Sequence, residues 1–348
     1  MSTPRLATRK RKILITVIKA ALAVALLAYL IVQAQRETAF KRLVEEPKQW
    51  KFLAAGLICS LVSTTLSFLR WHVLVSALNL PLRLTEAIRL GALGFMLNFV
   101  SLGSIGGDFF KAIFLAHRQP GLRTEAVASV VADRLLGLLM MLTIASVGIL
   151  AVGLANAEPA ALALLCRTIL VVATIGLACA GLLIFVPGLS GPRIRQFSRT
   201  VPLIGTTVDR LLGAVQMYRN KKSLVLLSAV ICLVVNLLYI TTFYLIARGL
   251  PVQAPTWAEH LVVVPVATMA GAIPATPNGL GALEAAVNVL YRAMPGGKET
   301  AEGDGTLVAL AYRLTTMIVA IVGFVYYLYY RTEVREMIIE AEELGELE

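Results

Sequence analysis

The feature that most narrows what this chain can become is the recurrence of uninterrupted apolar runs of about 20 residues, the length a helix needs to cross a hydrocarbon core about 30 Å thick. Such runs occupy 13–32, 52–75, 126–152, 162–186, 224–247 and 307–330. They are continuous and rich in Leu, Ala and Val. A spanning barrel would instead show segments of about ten residues with alternating hydrophobicity. The expectation is therefore an all-α, polytopic membrane protein with about six full spans. Composition agrees, since 58% of the 348 residues are hydrophobic and only 15% are charged, leaving no stretch for a soluble catalytic domain.

Two further segments, 87–114 and 261–290, are apolar but broken. The first is interrupted by Ser101-Leu102-Gly103-Ser104-Ile105-Gly106-Gly107-Asp108, the second by Pro274-Ala275-Thr276-Pro277-Asn278-Gly279-Leu280-Gly281. About 12–15 residues lie on either side of each break, too few for two ordinary crossings. Positive charge threads them. The first run follows Arg5, Arg9, Lys10, Arg11 and Lys12, which places residues 1–12 in the cytoplasm. A signal peptide cut after Ala34 is the minor alternative, because an h-region is about 7–15 residues long and this run is longer. Segment 191–222 carries Arg193, Arg195, Arg199, Arg210, Arg219, Lys221 and Lys222 against Asp209 alone, so it too belongs in the cytoplasm. Its apolar spacing at Val208, Leu211, Leu212 and Val215 suits a helix lying on the membrane surface. Both placements hold if each broken segment is re-entrant, one from each side, with the acidic tail 331–348 back in the cytoplasm.

That threading makes 52–152 and 224–330 two repeats of opposite topology within a single transmembrane domain, 13–330. Sequence detail repeats as well. The first break leads to Asp108 and then to Asp133-Arg134-Leu135 on the next helix; the second leads to Glu284 and then to Tyr312-Arg313-Leu314. Inverted units with broken helices meeting near the midplane are the architecture of alternating-access transporters.

Ionised groups inside a bilayer cost at least about 2.5–3.5 kcal/mol, so each is paired, hydrated or functional. Arg70, Asp108, Lys111, Asp133, Arg134, Glu284 and Arg313 are the candidates, and pairing across helices is open to all of them. Where a helix restarts after Gly106-Gly107 or Gly279-Leu280-Gly281, unpaired backbone N–H groups and the helix dipole suit a phosphate. Arg134 and Arg313 are then the bidentate phosphate contacts. Asp108 and Glu284 fit a cationic headgroup or a proton that comes and goes. Asn98, Pro277, Asn278 and Tyr312 complete the set of candidate substrate-binding residues. Close helix packing is the alternative use of the glycines, with Gly103 and Gly107 suitably spaced.

Other residues point to ordinary roles. Cys59, Cys166, Cys179 and Cys232 fall within apolar runs and read as small buried hydrophobes. His72, His117 and His260 have no metal-ligand spacing. Trp50, Trp71 and Trp257 end apolar runs, the place of interface anchors. Gly297-Lys298 lacks the rest of a phosphate loop. No cofactor or metal is expected. The formal charge of +11 resides in flanks and loops that meet anionic headgroups, so nucleic acid is not an expected partner.

The stretch NFVSLGSIGGDFFK from Asn98 to Lys111, then Ala132-Asp133-Arg134, PATPNGLGALE from Pro274 to Glu284, Tyr312-Arg313 and the early Arg70-Trp71 pair resemble the lysylphosphatidylglycerol synthetase transmembrane, or flippase-like, family. The resemblance spans roughly 13–330. It implies that Asp108, Arg134, Glu284 and Arg313 stand at the family's characteristic charged positions. Asp133 replaces the family's usual Glu, and Lys111 best matches the base that follows Gly-Gly-Asp. Members fused to an aminoacyltransferase domain attach lysine to phosphatidylglycerol and move the product across the membrane. No such domain lies in this chain, so lysine transfer is not implied. The expected function is movement of an anionic or amphoteric lipid headgroup, aminoacylated ones included, between leaflets of the cytoplasmic membrane. The alternatives are an integral-membrane transferase acting on a lipid-linked substrate and a non-transporting partner of a separate lipid-modifying enzyme. Membrane lipids are the expected partners in every case.

Overall fold

The structure, a computed structural model, describes residues 45–100, 106–118, 122–186, 215–272, 279–297 and 299–329. The run at 13–32, most of the basic segment 191–222 and the tail 331–348 lie outside the described residues. So do Pro277 and Asn278. Among the described residues every regular element is helical: α1 (Trp50–Ala77), α2 (Leu84–Val100), α3 (Gly106–Arg118), α4 (Arg123–Val152), α5 (Ala160–Phe185), α6 (Lys222–Gly249), α7 (Trp257–Ala272), α8 (Ala282–Ala293) and α9 (Asp304–Tyr329), with short 3-10 turns at Leu154–Asn156 and Pro295–Gly297.

Five helices, α1, α4, α5, α6 and α9, are long and apolar enough to cross a membrane, with mean hydropathy of 2.0 to 2.6 in their most apolar windows. They coincide with five of the runs read from the sequence and extend a few residues beyond most of them, because backbone hydrogen bonding continues through flanking polar residues. Their outer faces are oily. On α5, Leu164 and Phe185 are each 68% exposed, and Ile175 is 58% exposed. Water would not tolerate such continuous apolar faces, and lipid chains do. The helix that follows Gly153 starts only after a reversal: Gly153 ends α4 in the left-handed region, with its N–H on Ile149 O.

The broken segments each fold as a helical hairpin. A Cβ on Gly107, in the first turn of α3, would fall on the carbonyl of Gly94 in α2. A continuous helix would hold those residues about 20 Å apart, so α3 lies back against α2 instead of continuing it. The second hairpin repeats the device. Gly279, at φ 65°, lies against the backbone of Gly271 in α7, and α8 packs along α7. Only glycine permits either approach.

The contacts sort into two compact units. The C-terminal unit takes in the start of α1 through Ser60, Gly94–Gly107 and Ile240–Val322. Within it, Glu259, 2% exposed, accepts N–H bonds from Thr256 at 2.7 Å and Gly296 at 2.6 Å. His260 Nε2 meets the Tyr291 hydroxyl at 2.8 Å. These contacts fasten the opening turn of α7 to the far end of α8. Gln49 N–H donates to Gly249 O, and Gly249 packs on Leu53, which joins α1 to α6.

The central unit comprises Leu61–Leu93, Asp108–Tyr239 and the end of α9 from Gly323. In it α4 packs on α5, Ser63 Oγ donates to Val235 O at 3.0 Å, and Gly91 admits the ring of Phe68. Two sequence expectations change here. Trp50 and Trp257 are 72% and 39% exposed, as anchors should be, but Trp71 is 1% exposed. Helix α1 runs on to Ala77 and turns Trp71 into the protein, so it is not an interface anchor. Cys179 is exposed and Cys59 half-buried, while Cys166 and Cys232 are buried; on the lipid-facing side of a span, an apolar run does not bury its cysteine.

Candidate functional site

In the central unit the charged side chains close into a circuit over three helices. Arg70 of α1 grips Asp133 of α4 bidentately, Nε to Oδ1 at 2.7 Å and Nη2 to Oδ2 at 2.9 Å. Its remaining Nη1 donates to the Cys232 thiol at 2.9 Å. Arg134, next along α4, donates through Nε to Asp108 Oδ2 on α3. Asp108 Oδ1 accepts from Lys111 one turn later at 3.3 Å. The Lys111 ammonium lies over the ring of Trp71, 5.4 Å from its centroid, which returns the circuit to α1. Arg70, Asp108, Lys111 and Asp133 are largely buried, whereas the side chain of Arg134 is 49% exposed. Tyr218, just before α6, is buried beside this group. Burial first, and the Asp133 charge second, hold its phenol well above the ordinary range, so the hydroxyl stays a donor at neutral pH.

The C-terminal unit holds one pair. Arg313 of α9 donates through Nε to Glu284 Oε1 of α8 at 2.8 Å, with side-chain exposures of 9% and 0%. The other carboxylate oxygen accepts the Gly281 N–H at 2.7 Å. Glu284 thus caps its own helix and fixes the arginine with one group. Arg313 Nη2 is buried with no hydrogen-bond partner among the described residues. Beside it in sequence, Tyr312 stacks on Phe243 with centroids 4.2 Å apart.

The first N–H groups of the restarted helices are therefore partly occupied. Gly107 N–H goes to Asn98 Oδ1 at 2.9 Å and Gly281 N–H to Glu284. The protein itself has taken these two N–H groups.

The sequence pattern of the lysylphosphatidylglycerol synthase TM region matches residues 14–323. The chain belongs to that family. No curated protein shows significant similarity to it. Membership, with the five apolar helices, makes this family member a multi-pass membrane protein tied to lipid modification.

Against that background, the candidate residues of this synthase-region protein fall into two sets. Arg70, Asp108, Lys111, Asp133 and Arg134 are brought together in the central unit. Asn98 and Gly107 form the first hairpin contact, with Gly106 opening α3. Gly281, Glu284 and Arg313 are joined in the C-terminal unit, where Gly279 supports the turn and Tyr312 packs on an aromatic ring. The sequence reading missed Trp71, Tyr218 and Cys232 as neighbours of the charges. A tryptophan directly after an intramembrane arginine was the available signal. Nothing in the spacing pointed to Tyr218, just before α6, or to Cys232 within it, both more than 140 positions beyond Arg70.

Proposed function

We propose that the protein moves a lipid with an anionic or amphoteric, phosphate-bearing headgroup between the leaflets of the cytoplasmic membrane. The observation that carries this reading is the repeated carboxylate–arginine pair. Asp108 and Glu284 each stand in the first turn after a glycine-rich break, and each is bonded to an arginine of the following long helix. Membership of a lipid-associated membrane family supplies the context.

In this reading Arg134 and Arg313 exchange a carboxylate for the lipid phosphate. Asp108 and Glu284 hold the arginines while no lipid is bound, and receive an amine of the headgroup or a proton when it arrives. An unpaired buried guanidinium is costly, so the partner must change in one concerted step. The two hairpins are read as re-entrant from opposite sides, with both termini cytoplasmic, on the strength of the basic segment 191–222. Labelling of a cysteine placed at Gln119 tests this directly: access from the cytoplasm is expected, and access only from the periplasm would remove the inverted repeat.

The decisive experiment is leaflet exchange of headgroup-labelled lipids in liposomes carrying the purified protein. Wild type should move phosphate-bearing lipids, and Arg134→Ala and Arg313→Ala should lose most of that movement. Wild-type rates in both folded variants would end the assigned roles. No movement of any lipid, with a proton gradient imposed, would end the transport reading.

A further inference from the structure

Where α4 gives way to α5, Asn156, Glu158, Leu164 and Arg167 line a cavity of about 410 Å³, within the range of about 300–1,000 Å³ that small-molecule sites occupy. It lies wholly in the central unit and shares no residue with the charged circuit over α1, α3 and α4. Arg167 stands two turns into α5 and reaches back to the reversal. Its Nε donates to Ala155 O at 2.8 Å and its Nη2 to Asn156 Oδ1 at 2.9 Å. These bonds take one edge of the guanidinium and fix its plane. The other edge, Nη1 with the second N–H of Nη2, makes no bond among the described residues. That edge is a fork suited to two oxygens of a phosphate.

An arginine that snorkels to the membrane surface explains the first two bonds. It does not explain the company Arg167 keeps. Glu158 lines the same cavity and pairs neither with Arg167 nor with any other described cation. Two opposite charges thus share one cavity without neutralising each other. An anionic headgroup would suit Arg167 and be repelled by Glu158, and a cationic one the reverse. A zwitterion suits both.

The cavity also opens onto an oily track. Leu164 lines it and is exposed, and Val171, Ile175 and Leu182 follow at spacings of 7, 4 and 7 residues, all exposed. Such spacing keeps them on one face of α5. Charge at one end and a continuous apolar stripe below it match an amphiphile, whereas a soluble zwitterion would leave the stripe unused.

We propose that the cavity between α4 and α5 binds a zwitterionic glycerophospholipid with a primary amine, a phosphoethanolamine headgroup being the simplest. The phosphate sits on the Nη1–Nη2 edge of Arg167, the ammonium on Glu158, and an acyl chain along the exposed stripe of α5. This lipid is a resident of the bundle's rim, so the inference does not rest on the transport reading or on Arg134 and Arg313.

The test uses the full chain in neutral detergent, titrated separately with phosphatidylethanolamine, phosphatidylglycerol and soluble glycerophosphoethanolamine, and read by native mass spectrometry and by thermal shift. Wild type should favour phosphatidylethanolamine over phosphatidylglycerol by about threefold, the worth of one exposed ion pair. Glu158→Gln should abolish that preference and Glu158→Lys should reverse it. Neither should change the melting temperature of the lipid-free protein, since the Glu158 carboxylate makes no bond there. Arg167→Gln should weaken phosphatidylethanolamine binding by about tenfold, the value of a hydrogen bond to a charged acceptor. The Glu158 pair decides the matter even if Arg167→Gln, which also loses two loop bonds, does not fold. Equal affinity of wild type for the two lipids, or a preference that both Glu158 variants keep, would overturn the site. Glycerophosphoethanolamine binding as tightly as phosphatidylethanolamine would overturn the lipid as its ligand. Binding lost in Arg134→Ala or Arg313→Ala but kept in folded Arg167→Gln would assign the lipid to the transport residues, and this inference would fall while that reading stood.

Discussion

One sequence pattern, a glycine-rich break followed by an acid and then by an Arg-Leu pair, is built in two different ways. In the C-terminal unit it gives a single ion pair, Glu284 with Arg313, sealed from the surroundings and balanced in charge. In the central unit it gives a circuit of five charges in which Arg134 is half-exposed. A buried pair with one partner removed leaves a charge that nothing solvates. A half-exposed arginine in a network has water, headgroups and a second acid to turn to. The first arrangement is the costlier to break; the second is the less costly.

The largest expected effect follows from the sealed pair. Arg313→Ala or Glu284→Gln should destabilise the protein by about 3–5 kcal/mol, measured by denaturation in detergent or bicelles. The double replacement Glu284→Leu/Arg313→Met should recover most of that loss. Small single effects would show that the pair is hydrated, and the contrast between the units would vanish. Next come the hairpin glycines. Gly107→Ala should cost about 1–3 kcal/mol through backbone overlap, and Gly279→Ala about 1 kcal/mol more because its φ is positive. Equal tolerance at both would mean that the hairpins open easily. The smallest effect on stability is expected at Arg134→Ala, at most about 1 kcal/mol. That variant should nonetheless lose leaflet exchange, a loss that its stability would not explain.

The spans were legible because their signal is length and hydropathy, which single residues do not disturb. The hairpins were legible as breaks, since about 12–15 residues on each side are too few for full crossings. Their construction was not, because a glycine that touches a carbonyl eight or thirteen positions earlier has no local signature. Among the charges, sequence identified Asp108, Arg134, Glu284 and Arg313, and it left open whether they pair. It placed Trp71 at an interface because an apolar run appeared to be ending, whereas α1 continues for six residues beyond it. Tyr218 was unreadable for a different reason. Its approach to Asp133 is set by tertiary packing across more than eighty positions of chain.

The glycine contacts bear on mechanics as well as on packing. Most helix contacts run through side chains, which can change rotamer and let one helix slide on another. Where Gly107 rests on Gly94 and Gly279 on Gly271, main chain touches main chain and no such bearing exists. The two helices of each pair are locked where these glycines touch, so they tilt or shift there as one piece. A movement of either pair must be absorbed where its arms join the long helices, not by one arm sliding on the other.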